Sequence, residues 1–114
     1  MTINEYIITL RKKRFNPEYA AEKVTIEIRL EYAIAYRKGA EALDEFRDKL
    51  IASKLNAVVN RDGQIAILFN QAKHPDEYEA YQKLRVDKKA EADAEMSAMK
   101  AELEASLKEA QYEH

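Results

Sequence analysis

The chain has 114 residues, 35% of them charged, with a net charge of −2 and no cysteine. That length holds one modest domain, and without cysteine neither disulfides nor thiolate chemistry is open to it. The longest apolar run, Ile65 to Phe69, is far too short to span a bilayer, so no membrane association is expected.

Thr2-Ile3-Asn4-Glu5 has the form of a capping box, with Thr2 as N-cap. Ile3, Tyr6, Ile7 and Leu10 follow at helical spacing and predict a helix from Ile3 to Arg14. It ends on Arg11-Lys12-Lys13-Arg14, and cations suit a helix C-terminus. The same segment carries its charges after its apolar residues and has no small-residue cleavage site. It does not read as a secretory leader, and a cytoplasmic protein is expected. Asn16-Pro17-Glu18 is a second helix start: an N-cap, a proline at the first position, an acid in the first turn.

From Val24 to Tyr36 every even position is apolar, which is the period of a strand. Against a strand, the start at Pro17 meets no breaker before Gly39, and Glu, Arg, Leu and Ala favour helix. A 13-residue strand would also leave a long unpaired edge. The reading preferred is a buried helix, Pro17 to Lys38, apolar on two sides and closed by Gly39. Ala40 to Lys54 is then a clear amphipathic helix, with Leu43, Phe46, Leu50 and Ile51 on one stripe.

Leu55 to Phe69, LNAVVNRDGQIAILF, predicts a β-hairpin. Asp62-Gly63 lies between two apolar runs and has the composition of a tight turn. A two-residue turn would put Asn56 and Asn60 on the apolar face. A three-residue Arg61-Asp62-Gly63 loop gives a face of Leu55, Ala57, Val59, Ile65, Ile67 and Phe69, and the cleaner face is chosen. The last helix opens at His74-Pro75-Asp76-Glu77 and meets no further Pro or Gly. Ala92, Met96, Met99, Leu103, Leu107 and Ala110 form one stripe of period 3.6 along it. The segment Arg85 to Glu91 is polar and is expected to stand off the core, so that the stripe projects toward another chain.

The chain is poor in catalytic groups. Its histidines are His74 and His114, and its serines, Ser53, Ser97 and Ser106, lie on predicted helix surfaces. Two isolated glycines cannot form a phosphate-cradling loop. His74 with Asp76 and Glu77 reads better as a helix start than as a metal site, because a metal wants three or four firm ligands. No cofactor or metal is expected.

The sequence therefore predicts an α+β fold, mostly helical: N-terminal helices, a central β-hairpin at about 55–69 and a long amphipathic C-terminal helix. Residues 1–73 would form a globular core and 74–114 the long helix. The function expected is a small non-enzymatic protein-binding module, an inhibitor, adaptor or assembly factor. Its contacts would come from Tyr78, Tyr81, Met96, Met99, Leu103 and Leu107, since tyrosine and methionine suit adaptable interfaces. One alternative is a nucleic-acid-binding accessory protein using Arg11, Lys12, Lys13 and Arg14. Another is a structural subunit that forms homo-oligomers through its C-terminal helix.

Overall fold

A computed structural model of the chain describes residues 1–112, with side chains for residues 1–108. Among the described residues there are five α-helices, one 3-10 helix and no strand.

Thr2 starts α1 (Ile3–Phe15) from an extended backbone, and its hydroxyl oxygen accepts from the Glu5 amide at 3.2 Å. The inner face of α1 buries Tyr6, Ile7 and Leu10. Asn16 caps the next segment by accepting from the Glu18 amide at 3.0 Å. That segment, Pro17–Glu22, is a 3-10 helix and not the first turns of an α-helix, because Tyr19 (φ −104°, ψ 17°) leaves helical geometry. The α-helix begins only at α2 (Lys23–Lys38).

The alternating stretch 24–36 lies within α2. Ile26, Leu30 and Ala33 are buried at i, i+4 and i+7, and Tyr32 and Ala35 widen that stripe. Val24, which a strand would have turned inward with the other even positions, is exposed. Gly39 ends α2 at φ +124°, ψ −173°, a conformation that L side chains rarely adopt.

The β-hairpin does not form, and the fold is all-helical rather than α+β among the described residues. Leu55 to Val58 is the last turn of α3 (Ala40–Val58), and Arg61–Phe69 is a separate helix, α4. The residues read as a turn are a helix start. Asn60 stands in the extended region, and its side-chain oxygen accepts from the Gly63 amide at 2.7 Å. Asp62 then lies in the first turn, where an acid favours the helix dipole. Gly63 is helical here, and its need for glycine is steric: a Cβ would come within 2.8 Å of Val59 Cγ1.

The last helix, α5 (Pro75–Tyr112), is continuous. The chain divides into two compact units. Unit 1 is Met1–Phe46 with the chain from Glu95 onward, and unit 2 is Arg47–Ala94. In unit 1, α1 packs along α2. Its buried side chains include Ile7, Leu10, Ile26, Leu30 and Tyr32, with Met99 and Leu103 from α5. The Tyr32 ring meets the Phe46 ring edge-on at 5.6 Å. In unit 2, Ile51, Leu55 and Ala92 form a small buried cluster against which Leu50 and Leu84 pack. Two ion pairs flank it, Arg47 with Asp93 at 2.6 Å and Lys54 with Glu91 at 3.9 Å. The polar stretch Arg85 to Glu91 therefore does not stand off: Leu84 and Ala92 at its two ends pack on α3, and Glu91 pairs with it.

Candidate protein-docking surface

Gln64 fixes the position of α4. Its amide nitrogen donates to Asn56 Oδ1 at 2.9 Å and to the Val59 carbonyl at 2.8 Å, and its oxygen accepts from the Tyr81 hydroxyl at 2.7 Å. One glutamine thus ties α4 to the end of α3 and to α5 by three hydrogen bonds. The half-buried side of the helix is Gly63, Gln64 and Ile67. The opposite side carries Ile65, Leu68 and Phe69, at i, i+3 and i+4, so the three share one face. They are 44%, 44% and 85% exposed.

This arrangement inverts the usual amphipathic pattern, in which apolar residues face the core and polar ones face water. In α4 the inward anchor is a polar amide, and three bulky apolar side chains point outward. No residue of α4 is buried. The segment carries little charge: from Leu55 to Ala72 only Arg61 and Asp62 are charged, both exposed in the first turn of α4 beside Ile65. The longest stretch of the chain without charge is Gly63 to Ala72, which holds Ile65, Leu68 and Phe69. Reading Leu55 to Phe69 as a hairpin assigned Ile65 and Phe69 to a covered face and so hid the surface.

The residues expected to bind a protein fall elsewhere. Tyr81 is buried and spends its hydroxyl on Gln64. Tyr78 is half-buried in the first turn of α5. Met99 and Leu103 are buried in unit 1, Leu103 with none of its surface exposed, and Ala92 is buried in unit 2. Among the described residues of the stripe, Met96 and Leu107, both half-buried, stay partly accessible. The side chain of Ala110, the last member of the stripe, lies outside the described residues, as does His114. The stripe is thus largely consumed by the chain's own packing, because its period matches the inward face of α5.

The cations at the end of α1 separate into two pairs. Arg11 and Lys12 are exposed, whereas Lys13 and Arg14 are half-buried and lie over aromatic rings. Lys13 Nζ is 5.5 Å from the centre of the Tyr19 ring, and the Arg14 guanidinium carbon is 4.5 Å from that of Phe15.

Indentations also occur among the described residues of unit 1. An open groove of about 240 Å³ is lined by Thr25, Ile28, Arg29, Glu95, Ala98 and Met99. A smaller cavity of about 170 Å³ has Tyr6, Lys13, Glu22, Arg29 and Glu102 in its wall. Its central charges neutralise one another, Arg29 with Glu102 at 3.1 Å. Burial pushes the Tyr6 hydroxyl above the ordinary tyrosine range, and the Glu102 carboxylate adds to the shift while Arg29 opposes it. Tyr32 is raised in the same way, mainly by burial and then by Tyr36, Glu104 and Tyr6. Of the serines, Ser106 donates its hydroxyl to the Glu102 backbone carbonyl at 3.0 Å. Among the described residues no three His, Asp or Glu side chains come together as a metal site, and no helix is long and apolar enough to cross a membrane.

Set against protein-family models, curated proteins and solved structures, the chain matches none of them.

Proposed function

We propose that this protein is a small non-enzymatic protein-binding module that docks through α4. The partner is a protein offering an apolar groove of low charge. One observation carries the reading: Ile65, Leu68 and Phe69 face outward at helix spacing from a helix whose inner side is held by Gln64. Anchors at i, i+3 and i+4 are how a helix enters an apolar groove. The segment's charge is confined to Arg61 and Asp62 in the first turn, so a mainly apolar partner surface is the complement of the rest. The hydrogen bonds of Gln64 hold the helix in place before docking, which lowers the ordering cost of binding.

The test is site-specific photo-crosslinking in the native host. A photoreactive phenylalanine analogue at position 69 should give one discrete protein adduct, and the same analogue at the exposed Glu41 should not. The adduct should disappear when Ile65 and Leu68 are changed to Ser. Diffuse adducts at position 69, or equal adducts at both positions, would overturn the reading. A single adduct of twice the chain mass would show a second copy in place of a different protein and would reject the groove-bearing partner.

A further inference from the structure

The outer face of α1 carries a second surface, independent of α4. Tyr6, Ile7 and Leu10 turn inward, which leaves Ile8, Arg11, Lys12 and Phe15 on the solvent side. Those four positions are i, i+3, i+4 and i+7, one strip along the helix. Ile8 is exposed, and Phe15 keeps 76% of its surface open.

The charges on this strip lack partners within the protein. Four cations elsewhere are matched, Arg29 with Glu102, Arg47 with Asp93, and Lys54 and Lys88 with Glu91. Among the described residues none of Arg11, Lys12, Lys13 and Arg14 has a carboxylate within ion-pair distance. The nearest compensation is aromatic, Lys13 over Tyr19 and Arg14 over Phe15. Arg14 Nε is buried with no hydrogen-bond acceptor. Four consecutive cations at the negative end of the helix dipole account for part of this run. A dipole does not account for a phenylalanine left in water beside them, with a guanidinium on one side of its ring.

We infer that this strip binds single-stranded nucleic acid. The backbone phosphates would lie on Arg11 and Lys12, which are exposed and uncompensated. An unpaired base would stack on the open part of the Phe15 ring. Cations that track a backbone, with an exposed aromatic as stacking platform, are the recurring parts of sequence-tolerant single-strand sites. A duplex keeps its bases stacked inside and offers Phe15 nothing but its ends. The acidic balance of the remaining chain, −2 overall, limits the contact to this strip and makes it weak and salt-dependent.

The experiment uses the full chain and fluorescence anisotropy of labelled twelve-nucleotide oligothymidylate and oligouridylate. A duplex of equal length, a glutamate homopolymer and vesicles containing anionic phospholipid serve as competitors. At 50 mM salt the single strand should bind with a dissociation constant on the order of 10⁻⁶ to 10⁻⁴ M. Two or three phosphate contacts give a slope of log affinity against log salt of about −1.4 to −2.1, roughly a tenfold loss between 50 and 200 mM. Phe15→Ala should weaken binding by about 5-fold or more at every salt concentration, as loss of one stacked base requires. Arg11→Ala with Lys12→Ala should flatten the slope. Phe15, Arg11 and Lys12 are exposed, so circular dichroism should show all variants folded. Absence of binding at low salt overturns the inference. So does equal binding of the duplex with Phe15→Ala neutral, or stronger competition by the glutamate polymer or the vesicles than by unlabelled single strand.

Discussion

Among the described residues, unit 1 encloses eleven hydrophobic side chains and leaves four large ones exposed, whereas unit 2 encloses four and leaves five exposed. A smaller body buries a smaller share of its surface, and unit 2 is the smaller. Size does not, however, decide which side of a helix faces out. In α1 and α2 the bulky side chains that can turn inward do so, and Ile7 and Leu30 lie almost wholly out of water. In α4 the side that turns inward is the one carrying Gln64, and Ile65, Leu68 and Phe69 stay outside. The first arrangement spends apolar surface on stability. The second holds a helix by hydrogen bonds and keeps its apolar surface for contact with something else.

The largest expected effect tests the first half of that contrast. Leu103 has no exposed surface, so Leu103→Ala leaves a cavity and should cost about 2–5 kcal/mol in a denaturant melt. By the same argument, truncation after Lys88 removes Met99 and Leu103 from unit 1 and should abolish its cooperative unfolding. A stable, cooperative truncated protein would show that unit 1 does not need α5.

Next in size is Gln64→Ala, which breaks three hydrogen bonds and leaves the Tyr81 hydroxyl and the Val59 carbonyl without their partner. Leaving a part-buried polar group unsatisfied costs about 1–3 kcal/mol. The loss should appear in unit 2, as faster amide exchange in α4, with the amides of α1 and α2 unaffected. Equal acceleration in both units would mean that Gln64 does not hold α4 locally.

How far the sequence carried this contrast varies by element. The caps were legible, because Thr2 and Asn16 act within three residues of themselves. Helix α3 and the start of α5 at Pro75 were legible for the same local reason. The alternating stretch 24–36 was resolved by helix formers and the lack of breakers, although the six residues read as the start of the same helix, Pro17–Glu22, wind as a 3-10 helix that nothing in the pattern distinguishes. The error at 55–69 has a definite cause. Asp62-Gly63 serves a turn or a first helical turn equally well, and what decides is Asn60, whose side chain reaches the Gly63 amide. The runs on either side are too short for period 2 to be told from period 3.6. On the tail, the stripe was legible but not its destination, since a sequence shows that a face is apolar and not what covers it.

A smaller effect separates the units by pH. Tyr6 and Tyr32, both in unit 1, have hydroxyls raised above the ordinary tyrosine value of about 10, chiefly by burial. The folded state therefore holds these protons more tightly than the unfolded chain. Their contribution to stability is complete below the unfolded value and is lost as pH rises through the folded one. Melting temperature should fall above pH 10, and Tyr32→Phe should make that fall shallower. Asp93 in unit 2 moves the opposite way. The hydrogen bond from Arg47 holds its carboxyl below the usual range, so its contribution is present at neutral pH and is lost only as pH falls through the lowered value. Being exposed and screened, it should give a weaker acid dependence than the tyrosines give in alkali. A Tyr32→Phe profile identical to the parent's would show that the alkaline loss has another source.

The smallest expected change in stability is the one that most sharpens the comparison. Phe69 carries the same ring as Phe46 in the core of unit 1, and removing such a ring from a core costs about 3–5 kcal/mol. Its ring is 85% exposed, so Phe69→Ser forfeits little packing and should stay within about 0.5 kcal/mol of the parent. It should also raise solubility, since it breaks up an outward triad that water covers poorly. If α4 is the docking helix, this variant folds and melts like the parent while its photo-crosslinked partner is lost from a probe placed at Leu68. A destabilisation above about 1 kcal/mol would mean that Phe69 packs in solution against its own chain, and the contrast between a unit that hides its apolar residues and one that offers them would fail at its central residue.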